Sequence, residues 1–390
     1  MGIVTIAARN LGRNKFRTVF TLAGLTVALV AFVLLRTVIW SWTAGIEHAA
    51  KDRIGSRHKV SFILPLPRRY AEEVRQVPGV KEVAYANWFG AKSMDPAHKD
   101  EFFGSIAVEP EDILKVYDEI IVPPEQARAW KENRRGVLVG DAIAKKMGWK
   151  VGQRIVLQGT IYPGNWEFEI SGIYTSKRAT VDRSTVWLQW KYLNESQPPR
   201  LQDQVGWIMA RVQGSGNAAT IAKAVDKKFD DRDIQTLSMD ERAFQSSFLG
   251  MISTILDAIS LVSVVILVIM ALVLGNTIAM GVRERTQEYG VLRAIGFLPR
   301  HIVMFILGES LVLGAVGGAI GLGVAYLFVN NAFGPFVEEN FGAYFPFFRV
   351  SPSVSAMAFG LAIALSFLAA LIPARQAARL EVVSALRRVG

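Results

Sequence analysis

The run AISLVSVVILVIMALVLGNTIAMGV, residues 258–282, holds 25 uncharged residues between Asp257 and Arg283 and decides the class of the fold. A helix needs about 20 apolar residues to cross about 30 Å of hydrocarbon. Helices are the only open structures that satisfy their own backbone polar groups there. Three more runs meet the same criterion. Val19–Leu35 continues after Arg36 into Thr37–Trp42, Ser310–Val337 lies between two glutamates, and Val350–Ala374 lies between two arginines. The chain therefore reads as an integral membrane protein with four transmembrane α-helices, over residues 18–43, 251–282, 302–333 and 350–374. The first run exceeds the 7 to 15 apolar residues of a cleavable signal, so it reads as an uncleaved anchor.

Composition agrees with this class. Of 390 residues, 51% are hydrophobic and 20% charged, with a net charge of +10 and no cysteine. A nucleic-acid-binding protein would account for the charge but not for the apolar excess, so no nucleic-acid partner is expected. Without cysteine there are no disulfides, thiolate metal sites or cysteine nucleophiles. Nine of the ten surplus positive charges sit in residues 1–17, 283–301 and 375–390. Basic residues flanking spans mark the cytoplasmic side. Both termini and the 283–301 loop are accordingly expected in the cytoplasm. Residues 44–250 and the aromatic 334–349 loop are expected on the opposite face.

The 44–250 region has the composition of a globular α+β domain. Lys59–Leu64 reads as a strand, Arg68–Val77 as a helix stopped by Pro78 and Gly79, and Val80–Phe89 as a second strand. A similar unit recurs at Val205–Val212, Ala218–Phe229 and Ile234–Leu237. The pattern predicts a split sheet over 59–120 and 204–240, with an inserted subdomain over 121–200. No catalytic constellation is present. The four histidines form no His-Glu-x-x-His, so a metal site is not expected. There is neither a Gly-x-Ser-x-Gly nor a P-loop. The chain is expected to be no enzyme and to carry no cofactor.

Four segments carry a family resemblance. They are the leader Ala7-Ala-Arg-Asn-Leu-Gly-Arg-Asn-Lys-Phe-Arg-Thr18, the loop Arg283-Glu-Arg-Thr-Gln-Glu-Tyr-Gly-Val-Leu-Arg-Ala-Ile-Gly296, the tail Pro373-Ala-Arg-Gln-Ala-Ala-Arg-Leu380 with Ala385-Leu-Arg387, and Gly140-Asp-Ala-Ile-Ala-Lys-Lys-Met-Gly148 continuing to Gln153. Taken in chain order they resemble the MacB/FtsX family of ABC-transporter permeases, which includes the LolC and LolE subunits. MacB proper carries a fused ATPase domain, and no such domain is present in this sequence. The resemblance implies a separate ABC ATPase subunit that holds ATP and Mg. It also implies a second permease protomer, in a homo- or heterodimer made mainly by the first two spans. A periplasmic adaptor or carrier protein and membrane lipid complete the partners it implies. It places the protein in a bacterial inner membrane and makes residues 1–17 a cytoplasmic amphipathic helix, 283–301 a coupling helix and 375–390 a cytoplasmic tail.

Within 283–301, Glu288, Leu292 and Ile295 recur at i, i+4 and i+7, with Val291 beside them and Arg293 flanking. Gly296 suits the position just past a helix end, and Pro299 a new helix start. Such a helix presents Tyr289, Leu292 and Ile295 to a groove of a partner, or is an ordinary interfacial helix held by lipid; the resemblance favours coupling. Charge at membrane depth is costly. Arg36 and Asp257 fall at similar depth on antiparallel spans and are expected either to pair or to reach separately toward water. Glu309, near the other end of the third span, reads as a packing or ATPase-proximal group. Gly314, Gly317, Gly318 and Gly321 give small-xxx-small spacings that bring helices close, within one subunit. The function expected is export or extraction of a lipoprotein, lipid, peptide or drug, driven by the partner ATPase. The alternative is an FtsX-like transmitter that activates a cell-wall hydrolase or a sensor.

Overall fold

The computed structural model describes residues 15–47, 49–98, 101–178, 181–214, 216–250, 253–341, 345 and 347–379. Most of the leader over 1–17 and the tail beyond Arg379 lie outside the described residues. The chain divides into two compact units. One contains residues 1–40, 254–335 and 348–390; the other contains 41–253 and 336–347.

The first unit is helical. Helix α1 (Lys15–Glu47) precedes the large domain, whose helices are α2 (Arg69–Arg75), α3 (Ile113–Val116), α4 (Pro124–Glu132), α5 (Asp141–Met147), α6 (Trp190–Glu195), α7 (Ala218–Phe229) and α8 (Glu241–Leu249). Then follow α9 (Ser253–Glu284), α10 (Thr286–Ala294), α11 (Pro299–Phe328), α12 (Gly334–Phe341) and α13 (Pro352–Ala378). Four candidate spans occur among the described residues: Thr18–Thr43, Ser253–Glu284, Pro299–Phe341 and Pro352–Ala378. The third continues past residue 333 because a π-turn at Val329–Phe333 carries α11 into α12. The expected 334–349 loop is thus helical in its first half.

The glycines of α11 serve two neighbours. A Cβ on Gly314 would lie 2.7 Å from Cβ of Ser366, and one on Gly318 would lie 3.1 Å from Cβ of Ala362, both on α13. On Gly317 it would strike Leu25, and on Gly321 Leu29, both on α1. Removing side chains at alternate turns lets α11 touch α13 on one flank and α1 on the other, where dispersion is the main attraction. Contact between α1 and α9 runs through Gly24, facing Val273, and through a Thr21–Thr277 hydroxyl pair at 3.3 Å.

The second unit is built on one mixed sheet. Its strands are β1 (Arg53–His58), β2 (Leu66–Pro67), β3 (Val80–Trp88), β4 (Ala91–Ser93), β5 (Gly104–Val108), β6 (Ile120–Ile121), β7 (Gly136–Gly140), β8 (Arg154–Gly159), β9 (Gly164–Ser176), β10 (Thr185–Gln189), β11 (Gln204–Val205), β12 (Trp207–Val212) and β13 (Thr236–Asp240). The order is β13-β1-β12-β3-β5-β10-β7-β9-β8-β4; β6 pairs with β9, and β2 and β11 form a separate ribbon. Parallel pairing of β10 with β5 joins residues 121–200 to the rest. The expected inserted subdomain is therefore a continuation of the same sheet.

Both faces of this sheet are covered. On β12, Ile208 and Ala210 enter one core with Tyr70, Val225 and Phe229, while Trp207 and Met209 enter the other with Val116 and Trp130. Val137, Leu138 and Val139 alternate likewise on β7. Strands buried on both sides read as unbroken apolar runs. On α7, Ala218, Ile221, Ala222, Val225 and Phe229 face the sheet at helical spacing. The expected strand at Lys59–Leu64 lies in a loop, and the strand precedes it at β1, where burial falls on Arg53, Ile54, Gly55 and Ser56. Ser56 Oγ meets Ser238 Oγ at 2.7 Å, and the Phe244 ring occupies the space a Cβ on Gly55 would need.

Gly317→Leu is expected to overpack the α11–α1 contact and lower stability by about 1–3 kcal/mol. Gly323→Leu, with nothing within 4 Å of the added Cβ, should leave it unchanged. Melting of the two purified variants in one detergent checks this.

Candidate functional site

The corner between α9 and α11 is assembled by short-range rules. Gly296 has φ +104°, which favours glycine. Its N–H donates to the Arg293 carbonyl, and that of Phe297 to the Leu292 carbonyl, each at 3.1 Å, which closes α10 in a Schellman turn. Pro299 then opens α11 at its first position. The side chain of Arg285 donates to Glu309 of α11 at 2.7 Å, with the two side chains 9% and 23% exposed. That of Arg293 donates to the carbonyl of Ala378, the last residue of α13, at 3.2 Å. Helix α10 is therefore fixed to both neighbouring spans.

Tyr289 is 7% exposed and joins Val282, Ile302, Ile306, Ala370, Ala374 and Ala377 in a buried cluster against which Leu292 packs. Burial, reinforced by the Glu309 charge and opposed by Arg285, pushes the Tyr289 hydroxyl up to about 12. It stays neutral at physiological pH. The outward face of α10 is instead Glu288, Val291 (49% exposed) and Ile295 (68% exposed), continued by exposed Phe297 and Leu298. This corrects the expected face, since Tyr289 and Leu292 point inward. A spacing of i, i+3 puts those two on one flank, and i, i+3, i+7 puts Glu288, Val291 and Ile295 on the other.

Arg36 and Asp257 do not pair. The Arg36 guanidinium lies 3.9 Å from Met357 Sδ on α13, and Asp257 is exposed. Glu309, expected as a packing or partner-facing acid, is the ion-pair partner of Arg285.

Sequence reading missed a second cluster, in the large domain. Arg53, on the first strand after α1, uses all five N–H bonds. They go to Glu241 at 2.9 and 2.7 Å, to Glu119 at 3.1 and 2.7 Å, and to the Val116 carbonyl at 2.8 Å. The Tyr117 ring stacks on it at 4.1 Å. Glu241, at the start of α8, also accepts the Ala50 N–H at 2.7 Å. The stretch entering the domain from α1 is thus bonded to the helix that leaves it toward α9. Burial opposes the Arg53 charge, but Glu119, Tyr117 and Glu241 more than offset it, and its pKa ends above the ordinary value. No sequence motif marks the cluster, because its residues are 188 positions apart.

The cluster lines a cavity of about 300 Å³ with Tyr174, Arg178 and Asp182. Asp182 accepts the Ser184 N–H at 2.7 Å and the Thr185 hydroxyl. Burial nevertheless pushes its carboxyl up to about 6. Its two oxygens and those of Glu241 are occupied, so the cavity presents no free base or nucleophile among these groups. No group of three or more metal-binding side chains occurs among the described residues.

Two outcomes follow. Glu241→Ala leaves a buried guanidinium short of its partner and should cost the domain about 3–5 kcal/mol, read as a lowered tryptophan-fluorescence melt. Folded Asp182 keeps its proton between pH 3.8 and about 6, where the unfolded chain has lost it. Its contribution to stability therefore falls as pH rises through that interval. Asp182→Asn should flatten the decline of Tm from pH 4 to 6.5; an identical slope in both proteins rules the effect out.

The sequence was compared with known families and structures. A model of the MacB-like periplasmic core domain matches residues 18–228, and a model of the FtsX-like permease C-terminal region matches residues 260–382. An uncharacterized ABC transporter permease of Methanocaldococcus jannaschii is 23% identical over 409 residues, covering 99% of this chain and 97% of that protein. The ABC transporter permease YtrF of Bacillus subtilis is 33% identical over 136 residues, covering 33% of this chain and 31% of YtrF. The macrolide export ATP-binding/permease protein MacB 2 of Aeromonas hydrophila is 34% identical over 130 residues, covering 33% of this chain and 19% of that protein. The periplasmic region of MacB from Actinobacillus actinomycetemcomitans superposes with a TM-score of 0.39 at 8% identity, over 52% of this chain and 95% of that one. With one family model matching more than half its length, the chain belongs to the MacB/FtsX-like ABC transporter permeases, as a multi-pass membrane protein whose large α/β domain lies between its first two spanning helices.

Proposed function

We propose that this chain is the permease subunit of an ABC transporter whose ATPase, with ATP and Mg, is a separate subunit gripping α10. Permeases of this family work with ABC ATPase partners in general. The observation that carries the reading is the exposed Glu288–Val291–Ile295 face on a helix fixed to α11 and α13 by Arg285 and Arg293. An exposed apolar strip on a short, immobilised helix suits a groove in a partner, where a few anchors hold most of the energy. The excess of arginine around α10 supports placing it, with both chain termini, on the cytoplasmic side of the cell membrane.

In this reading two permease protomers meet through α1 and α9. The wide apolar flank that α9 leaves exposed, including Leu261 and Leu272, supports this. ATP-driven closure of the ATPases shifts α10, and the bundle carries the shift to α1 and α9. Cargo is moved on the far side of the membrane, as export or extraction, with a carrier or adaptor there to receive it.

Ile295→Asp, on the outward face, should reduce co-purification of the co-expressed ATPase at least tenfold and abolish permease-dependent stimulation of ATP hydrolysis, with membrane insertion and melting unchanged. Leu292→Asp, facing inward, should lower the melting temperature instead. Full ATPase association with the Ile295 variant would refute the coupling role.

A further inference from the structure

The large domain carries an aromatic groove that the coupling role does not use. Two neighbouring cavities of about 380 and 310 Å³ share Phe62, Trp88 and Phe248 as walls. Each is within the size range of small-ligand sites, about 300–1,000 Å³. The rings form a continuous lining: Phe62 meets Phe248 edge-on at 6.0 Å, Trp88 stacks on Phe248 at 5.9 Å, and Trp88 lies 5.6 Å from Trp207. Trp88 and Phe248 are each 39% exposed, although most large aromatics of this domain are buried. The groove is mainly apolar and open. Its second cavity is walled by Trp42, which ends the candidate span Thr18–Thr43 and stacks on Phe345 at 5.2 Å.

A cation marks one rim. The Arg57 guanidinium lies 4.6 Å over the Phe62 ring and donates to Ser247 Oγ at 3.2 Å and to the carbonyls of His58 and Lys59. It has no carboxylate within 4.0 Å among the described residues, and its Nε–H is buried without an acceptor. Burial lowers its pKa, the opposite of what an acid partner would do. The other charged groups near the groove are committed: Glu241 to Arg53 and Ala50, and Lys59 to Gln235 at 3.0 Å. Asn87, Asn194, Gln197 and Gln204 supply neutral polar contacts along the first cavity.

We propose that this groove binds a single-chain anionic amphiphile, its alkyl chain laid along Phe62, Trp88 and Phe248 and its carboxylate or phosphate held by Arg57. This rests on the permease reading only in naming a class of cargo. Two adjoining apolar cavities that share walls favour an alkyl chain, and a guanidinium with no carboxylate partner beside them favours one anionic head.

The test uses the full chain in phosphatidylcholine nanodiscs with a diazirine-bearing palmitate, adducts being mapped by peptide mass spectrometry after photolysis. Saturable labelling is expected in peptides covering Phe62, Trp88 or Phe248, displaced at least tenfold better by dodecyl phosphate than by dodecanol. Arg57→Gln should weaken that labelling about tenfold and remove the preference for the phosphate. Trp88→Ala should abolish it, while labelling of the spanning helices stays the same and reports an intact protein. Labelling confined to the spanning helices, equal displacement by both competitors, or unchanged labelling of the Arg57 variant would each overturn the proposal. No ATPase takes part, so the outcome is separate from that of the Ile295 experiment.

Discussion

The guanidinium of Arg53 is what lets a large domain be inserted between two membrane helices and still be held where the chain enters and leaves it. A buried arginine is costly unless every N–H finds an acceptor. Here two carboxylates and a carbonyl satisfy all five. Glu119 brings in the segment after α3, and Glu241 brings in the start of α8. The Ala50 N–H joins the same carboxylate. Three stretches distant in sequence thus share one charge center, and strand β1 takes its place in the sheet beside β13 and β12 with that center at its first residue. Replacing the ions with hydrocarbon can give equal stability, but not the directional bonds that fix which stretches meet.

Legibility in the sequence followed the physics of each element. The spans were plain because hydrocarbon imposes a long uncharged run and nothing else in the chain resembles one. Strand β12 was visible because both its faces are buried, which makes almost every position apolar. Strand β1 was not, and the apolar Lys59–Leu64 loop was read in its place. Its burial rests on one apolar residue, Ile54, beside an ion-paired arginine, a glycine under a phenylalanine ring and a serine bonded to another serine, and one apolar residue makes no hydrophobic period. At α10 the helix, its Gly296 stop and its Pro299 successor were legible from local rules. Its faces were not: in nine residues a 3.6-residue period assigns two apolar flanks equally well, and only the neighbours decide that Tyr289 and Leu292 turn in while Val291 and Ile295 turn out. The Arg36–Asp257 pairing failed for a related reason, since matched depth on two helices says nothing about rotation around their axes.

Magnitudes indicate how the α10 corner responds to a load. A partner gripping the exposed face through Val291 and Ile295 has about 1.5–3 kcal/mol of apolar burial per side chain to work with. Against that stand the Arg285–Glu309 pair, whose disruption at low exposure costs about 3–5 kcal/mol, the buried Tyr289 and Leu292, and the Arg293 bond to the end of α13. The attachments inside the corner are stronger than the grip upon it. A pull on α10 is therefore passed on to α9, α11 and α13 before it can peel the helix away. Within that unit the glycine flanks of α11 extend the same coupling to α1, because atoms already in contact leave no slack to absorb a displacement. A rigid corner with a soft handle is the arrangement in which binding energy at one end of the bundle becomes movement of the whole bundle and is not lost in local bending.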